Sequence, residues 1–250
     1  MCRAIKAVLL LLATQLCFSA AAEAQLSRAW ADKESGKWYF QFGAGKLDTK
    51  NLTTSLERAG YSVVTRSPLN NLADSFISFG LGTHGVINGV LIGWELNGLT
   101  SRETTNAANS YRVSVGGGYG FVDVGYMAYS MEGLDIYPVI GIGGGGLRLN
   151  VVSRRTLSFQ QVMDTPEQAV QLNTGGFLLN PSLGVDYMLS LSGDDKRESG
   201  VVFGLRIGYV LAPLKGAWKM DGLDVSGGPQ ASPAGPYARL TVGLGSRKSY

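Results

Sequence analysis

Between Tyr111 and Asn150 the chain reads YRVSVGGGYGFVDVGYMAYSMEGLDIYPVIGIGGGGLRLN, two long arms joined near Glu132-Gly133, each carrying a run of glycines. Apolar residues recur at every second position, as in Val113 and Val115, in Val122, Val124 and Tyr126, and again in Pro138, Ile140 and Ile142. A period of two places them on one face of a pleated strand. Each arm exceeds the roughly five or six residues typical of soluble strands. Long alternating arms in a hairpin are what a membrane-spanning β-barrel requires, and no other stretch narrows the choice of folds as far.

The same period recurs along the chain. Lys37 to Lys46 sets Trp38, Phe40, Phe42 and Ala44 on one face, and Ser75 to Thr83 aligns Ile77, Phe79 and Leu81. Gly89 to Gly98 aligns Val90, Ile92, Trp94 and Leu96. After the hairpin come Gly176 to Leu191, Gly200 to Ala212 and Gly235 to Gly245, each with an unbroken apolar row. The count is eight strands, and the connections between them alternate long and short. The expected fold is all-β: an eight-stranded antiparallel up-and-down transmembrane barrel with short periplasmic turns and long extracellular loops. In the first long connection, Leu47 to Asp74, Thr54 and Glu57 have capping-box spacing and Gly60 is a natural stop, so a helical turn or two is expected there.

The first residues are set aside as a targeting signal. Arg3 and Lys6 precede the apolar Ala7 to Phe18, and Ala22-Glu23-Ala24 supplies a small-x-small cleavage pattern. The expected organisation is a signal peptide over 1–24, a periplasmic lead-in over 25–36 and one barrel domain over 37–250. Both cysteines, Cys2 and Cys17, fall in the signal, so no disulfide framework is expected. Removing Arg3, Lys6 and Glu23 leaves 20 basic and 18 acidic residues, a net charge of +2 that argues against a nucleic-acid partner. After the signal no apolar stretch reaches the ~18 residues of a transmembrane helix. His84 is the single histidine, and no metal-ligand spacing accompanies it.

A soluble barrel or sandwich also alternates, with its apolar face inward. Three features favour the membrane. The apolar rows carry no charge, and Trp or Tyr sits near several row ends, as an aromatic girdle requires. The opposite face is rich in glycine, including Gly43, Gly80, Gly93, Gly184, Gly204 and Gly243, which weakens a water-facing strand but suits the narrow interior of a small barrel. Charges on that face come in both signs. They define an expected lumen cluster of Glu95, Arg112, Asp123, Arg148, Asp186, Arg206 and Arg239. The cluster reads as a structural plug of paired charges, or alternatively as a conductance-setting constriction.

The signal, the eight alternating segments, and phrases such as Tyr137-Pro138-x-x-Gly141-x-Gly143 and Gly204-x-Arg206-x-Gly208-Tyr209 together resemble the small outer-membrane barrels of Gram-negative bacteria. That superfamily includes the OmpA transmembrane domain, OmpX and OmpW. The resemblance implies outer-membrane lipid and the barrel-assembly machinery as partners, a monomer, and an extracellular partner it does not identify. The chain departs from the pattern at its end: Tyr250 is aromatic, but Ser246-Arg247-Lys248-Ser249 precedes it and the apolar row stops at Leu244.

No catalytic, cofactor or metal site is expected. Gly141 to Gly146 fits G-x-G-x-x-G, but a dinucleotide site needs a helix next, and Leu147 to Val152 is strand-like. His84 is expected as a solvated histidine at the periplasmic turn, although lipid A deacylases of similar architecture use a His beside a Ser. Trp218 and Met220 in the last loop suit either loop packing or contact with a partner. The expected role is structural or surface-interacting without catalysis. The alternatives are a narrow pore for small solutes, an outer-membrane lipid-modifying enzyme and a secreted lipocalin-like binder. Finally, the parity of the apolar residues switches across Gly116–Gly118 and across Gly143–Gly146, which predicts a bulge there that turns Asp123 and Arg148 inward.

Overall fold

The computed structural model describes residues 34–47, 50–58, 75–101, 104–105, 111–131, 133–153, 169–194 and 197–248; the targeting signal, its cleavage point and Gly60 lie outside them. Eight strands form the wall: β1 (Glu34–Lys46), β2 (Ser75–Ile87), β3 (Val90–Ser101), β4 (Tyr111–Tyr126), β5 (Leu134–Ser153), β6 (Ala169–Asp194), β7 (Arg197–Lys215) and β8 (Gly235–Lys248). Each pairs antiparallel with the next, and β8 returns to pair with β1 from Gly45↔Tyr237 to Ser35↔Arg247, which closes the ring. The chain is an eight-stranded antiparallel barrel with no open edge in its closed wall.

Short turns gather at one end. Asn88 and Gly89, with φ of 52° and 79°, make the two-residue turn between β2 and β3, as an Asn-Gly pair favours. The tight link therefore sits past His84, which belongs to β2. Strand β1 begins three residues earlier than the expected Lys37, because β8 runs on to Lys248 and offers Ser246 and Arg247 as ladder partners for Gly36 and Ser35. The wall is uneven: β6 has 26 residues and β5 has 20, against 13 each in β1 and β2. A further hairpin, Trp218–Met220 with Leu223–Val225, turns at Asp221-Gly222 and leans on β6 through Lys219↔Asn173.

Outward positions carry the belt that the sequence rows announce. Phe40 is 74 % exposed, and Trp38, Phe79, Ile92, Ile140, Leu205 and Val242 stand out beside it around the circumference. An exposed apolar surface this continuous is foreign to an aqueous monomer and matches the hydrocarbon of a bilayer. No helix among the described residues is long and apolar enough to cross a membrane; the crossing elements are the strands.

The interior divides into two layers. At the long-loop end it is apolar: Phe76, Leu99, Val113, Val115, Leu147, Leu149 and Leu178 pack against Leu47 and against α1 (Lys50–Arg58). Leu52 and Leu56, four residues apart on one helical face, are buried there. Thr54 lies inside α1, so the expected capping box does not open the helix. Starting it at Lys50 instead brings both leucines onto the core.

This apolar layer explains why no bulge forms at the glycine runs. The β4–β5 register is continuous from Tyr111↔Ser153 to Gly125↔Val139, and Val113, Val115, Tyr119, Phe121 and Asp123 all face inward with one parity. Apolar residues change parity because the inner face itself turns apolar at the loop end, while the outer face passes to glycine and polar residues. The register steps in the wall lie between β6 and β7, at Phe177/Leu179 and Ser190/Ser192. The first is opposite Pro213, which has no N–H for the ladder.

Candidate polar plug in the lumen

The polar layer is assembled by inward positions around the whole wall. Glu95 on β3 is its hub and is fully buried. Its Oε2 accepts from Arg206 Nη1 at 2.7 Å and from Gln41 Nε2 at 3.3 Å. Its Oε1 accepts from Arg239 Nη1 and from Asn180 Nδ2, each at 3.2 Å. Arg206 Nη1 also donates to Asp123 Oδ2 at 3.2 Å. Arg239 donates to the Tyr119 hydroxyl, and its guanidinium lies 3.7 Å from the centroid of the Tyr237 ring. Tyr237 in turn donates to Asn180 Oδ1 at 2.8 Å.

Nearer the turn end a second group forms. Lys37 pairs with Asp186 and donates to the Tyr137 hydroxyl at 2.7 Å, while Tyr137 donates to Asp186 Oδ2 at 2.7 Å. Three carboxylates, Glu95, Asp123 and Asp186, thus face three cations, Lys37, Arg206 and Arg239, within the buried pairs. Opposite charges in contact offset a desolvation cost of several kcal/mol per ion that any of them would carry alone. Glycine makes the flat arrangement feasible. A Cβ on Gly43 would lie 2.8 Å from Arg239 Cγ, and one on Gly93 would overlap Cδ2 of His84.

Of the residues singled out from sequence, Glu95, Asp123, Asp186, Arg206 and Arg239 come together inside the lumen. Arg112 and Arg148 do not. Both have even numbers on strands whose odd positions face inward, and with no bulge to reset the parity they lie exposed on the outside. Arg148 Nε donates to Asn173 Oδ1 at 3.1 Å on that outer surface. His84 also differs from expectation. It is 2 % exposed, and its Nε2 lies 3.0 Å from both the Tyr39 hydroxyl and Asp123 Oδ2, and 3.1 Å from Arg206 Nη2. A hydrolytic relay sets the nucleophile and the orienting acid on opposite ring nitrogens. Here the acid and the hydroxyl meet the same nitrogen, which is a different arrangement. Parity with the lumen glycines already sets Tyr39, Gln41, Asn180 and Tyr237 on the inner face in the sequence; the cluster expected from charge leaves them out, together with Lys37, Tyr119 and Tyr137.

Gly141 to Gly146 lie wholly within β5, laddered to β4 on one side and β6 on the other, which leaves no amide cradle for a phosphate. Trp218 is buried, donating from Nε1 to the Pro229 carbonyl at 2.6 Å, whereas Met220 is exposed. Among the described residues no group of three or more His, Cys, Asp or Glu is placed to hold a metal. A cavity of about 40 Å³ opens at the turn end, lined by Lys37, Tyr137 and Asp186 together with Met127, Met188 and Val202.

No protein-family model matches the sequence. No curated protein matches it either. Among solved structures, the chain is similar to Ail, the attachment invasion locus protein of Yersinia pestis, at 10 % identity and a TM-score of 0.42, covering 86 % of this chain and 99 % of that one. A major outer membrane protein of Thermus thermophilus aligns at 10 % identity and 0.38, covering 85 % and 98 %. The outer membrane protein OprG of Pseudomonas aeruginosa aligns at 10 % and 0.34, covering 88 % and 97 %. The barrel assignment itself stands on the chain's own closed strand ladder.

Proposed function

We propose that this membrane barrel is a closed, non-catalytic scaffold of the outer membrane. In this reading it displays its loop-end surface for structural or surface-interaction purposes. The observation that carries it is the filled lumen. The Glu95 hub ties β1, β3, β6, β7 and β8 together across the interior, and the apolar layer beneath α1 stacks on top of it. A solute would have to separate paired charges and then cross a packed apolar layer, and each step costs several kcal/mol.

The wall rests in lipid through its outer belt, inserts as a monomer with the help of the barrel-assembly machinery, and reaches the membrane by the amino-terminal signal. The paired charges of the plug sit inside, and His84 is turned away from the lipid, so a lipid-modifying role gains no support from the geometry. Two measurements test the reading. Membrane fractionation with heat-modifiable gel migration should place the protein in the outer membrane as a compact barrel. Planar-bilayer recordings should show no stepwise conductance. Quantitative recovery in the soluble periplasmic fraction, or stable unitary currents, would overturn it.

A further inference from the structure

The polar plug leaves several of its own atoms without partners, and all but Arg239 Nε fall into two groups along the register. On the β1–β3 wall these are Gln41 Oε1, Ser78 Oγ and both amide atoms of Asn97. The three residues are 2 %, 0 % and 5 % exposed, beyond the reach of bulk solvent. The register brings them to one place. Gln41 and Asn97 flank Gly80 as its two ladder partners, and Ser78 is the next inward residue along β2. Gly80 lets the Asn97 amide lie across the strand: a Cβ there would fall 2.7 Å from Asn97 Oδ1. A second group sits on the β4–β7 side: Asp123 Oδ1, Ser182 Oγ and Arg206 Nε. Asp123 Oδ1 leans over Gly141, and a Cβ on that glycine would lie 2.8 Å from it.

Buried polar atoms in folded proteins are almost always hydrogen-bonded, to protein or to ordered water. An orphaned donor or acceptor is costly, which makes two such clusters around one hub a strong drive to bind something. The chemistry selects the ligand. Each cluster mixes donors with acceptors: Asn97 Nδ2 and Arg206 Nε donate, Gln41 Oε1 and Asp123 Oδ1 accept, and the two serines do both. The charges around them already balance, three against three. A cation would meet the guanidiniums and an anion would meet the acceptor oxygens. A small neutral molecule with about two donors and two acceptors meets neither objection.

We infer that the plug contains two internal water sites, one bridging Gln41, Ser78 and Asn97 beside Gly80 and one bridging Asp123, Ser182 and Arg206 beside Gly141. Each water makes the three or so bonds typical of buried water and completes the shell of a hub that side chains alone leave unfinished. The charged layer is then a protein–water unit, sealed from the loop end by the apolar core.

The test uses the intact barrel in detergent or bilayers. A high-resolution crystal structure should show a density peak within hydrogen-bond distance of at least two atoms of each trio. Water-to-amide cross-relaxation should give a signal at the Gly80 amide and at the Asn97 side-chain amide. The Asn97→Leu variant should lose the Gly80 signal, and Ser78→Ala should weaken it with the fold intact. Gln41 and Asn97 amides bonded directly to each other, with no peak between them, would overturn the inference. So would an anomalous peak in bromide-grown crystals, which would assign an anion in place of water.

Discussion

Glu95→Gln is the sharpest probe of the plug, because it removes one charge and almost no volume. The carboxylate takes four donors, two from guanidiniums at 2.7 and 3.2 Å and two from amides at 3.3 and 3.2 Å. A hydrogen bond to a charged group contributes about 1.5–3 kcal/mol, and all four of these bonds end on the carboxylate. The glutamine keeps one oxygen, which can serve the Arg206 side or the Arg239 side but not both; its amide nitrogen then points at the other guanidinium. The loss is therefore two bonds to the carboxylate, one from a guanidinium and one from an amide, together with an uncompensated buried cation. Breaking a buried pair in this way costs about 3–5 kcal/mol, which is the expected change in unfolding free energy. Urea titration of the refolded barrel, read by gel mobility without heating and by tryptophan emission, measures it. Adding Arg239→Met to Glu95→Gln should recover about 1–3 kcal/mol, because the two positions are directly coupled. A Glu95→Gln cost below ~1 kcal/mol with additive behaviour in the double variant would refute the reasoning, since that is the range of solvent-exposed pairs.

Three further outcomes follow from the same geometry. Leu52→Ala, at a position 3 % exposed, should cost about 2–5 kcal/mol in the same titration, while Asn51→Ala on the exposed side of α1 should be close to neutral. Gly143→Ala drives a methyl into the Gly120 carbonyl oxygen and should cut the yield of heat-modifiable protein severalfold, whereas Gly116→Ala, with 3.5 Å to its nearest neighbour, should fold near wild-type yield. In single-tryptophan variants, lipids brominated on the acyl chains should quench Trp38, which stands 63 % exposed on the belt, and leave the buried Trp218 bright; equal quenching of both would contradict the assigned faces.

The outward belt was legible because a lipid-facing strand has one chemical demand along its full height, and Trp38, Phe40 and Phe42 answer it with a strict period of two. The loop-end interior was not, because period alone cannot say whether an apolar row faces lipid or a buried core. Val113 and Val115 are apolar for the second reason, Val122 and Val124 for the first, and the difference imitates a shifted register. The same imitation makes Arg148 look inward-facing. The place of His84 turns on a simpler point: Asn88-Gly89 carries the stronger turn signal and leaves His84 on the parity of Gly80 and Gly82. Pairings such as Glu95 with Arg206, 111 residues apart, emerge only when the ring closes.

The uneven wall has a consequence of its own. β6 outruns β1 by a factor of two in residues, roughly 40 Å of extra ribbon before tilt is taken into account. Part of that excess lies at the loop end of one flank, where Leu147 to Val152 of β5 ladder with Ala169 to Thr174 of β6 and Lys219 pairs with Asn173. Among the described residues the loop-end rim is therefore highest on the β5–β6 side, which sets that flank apart as the first ribbon an approaching molecule would meet.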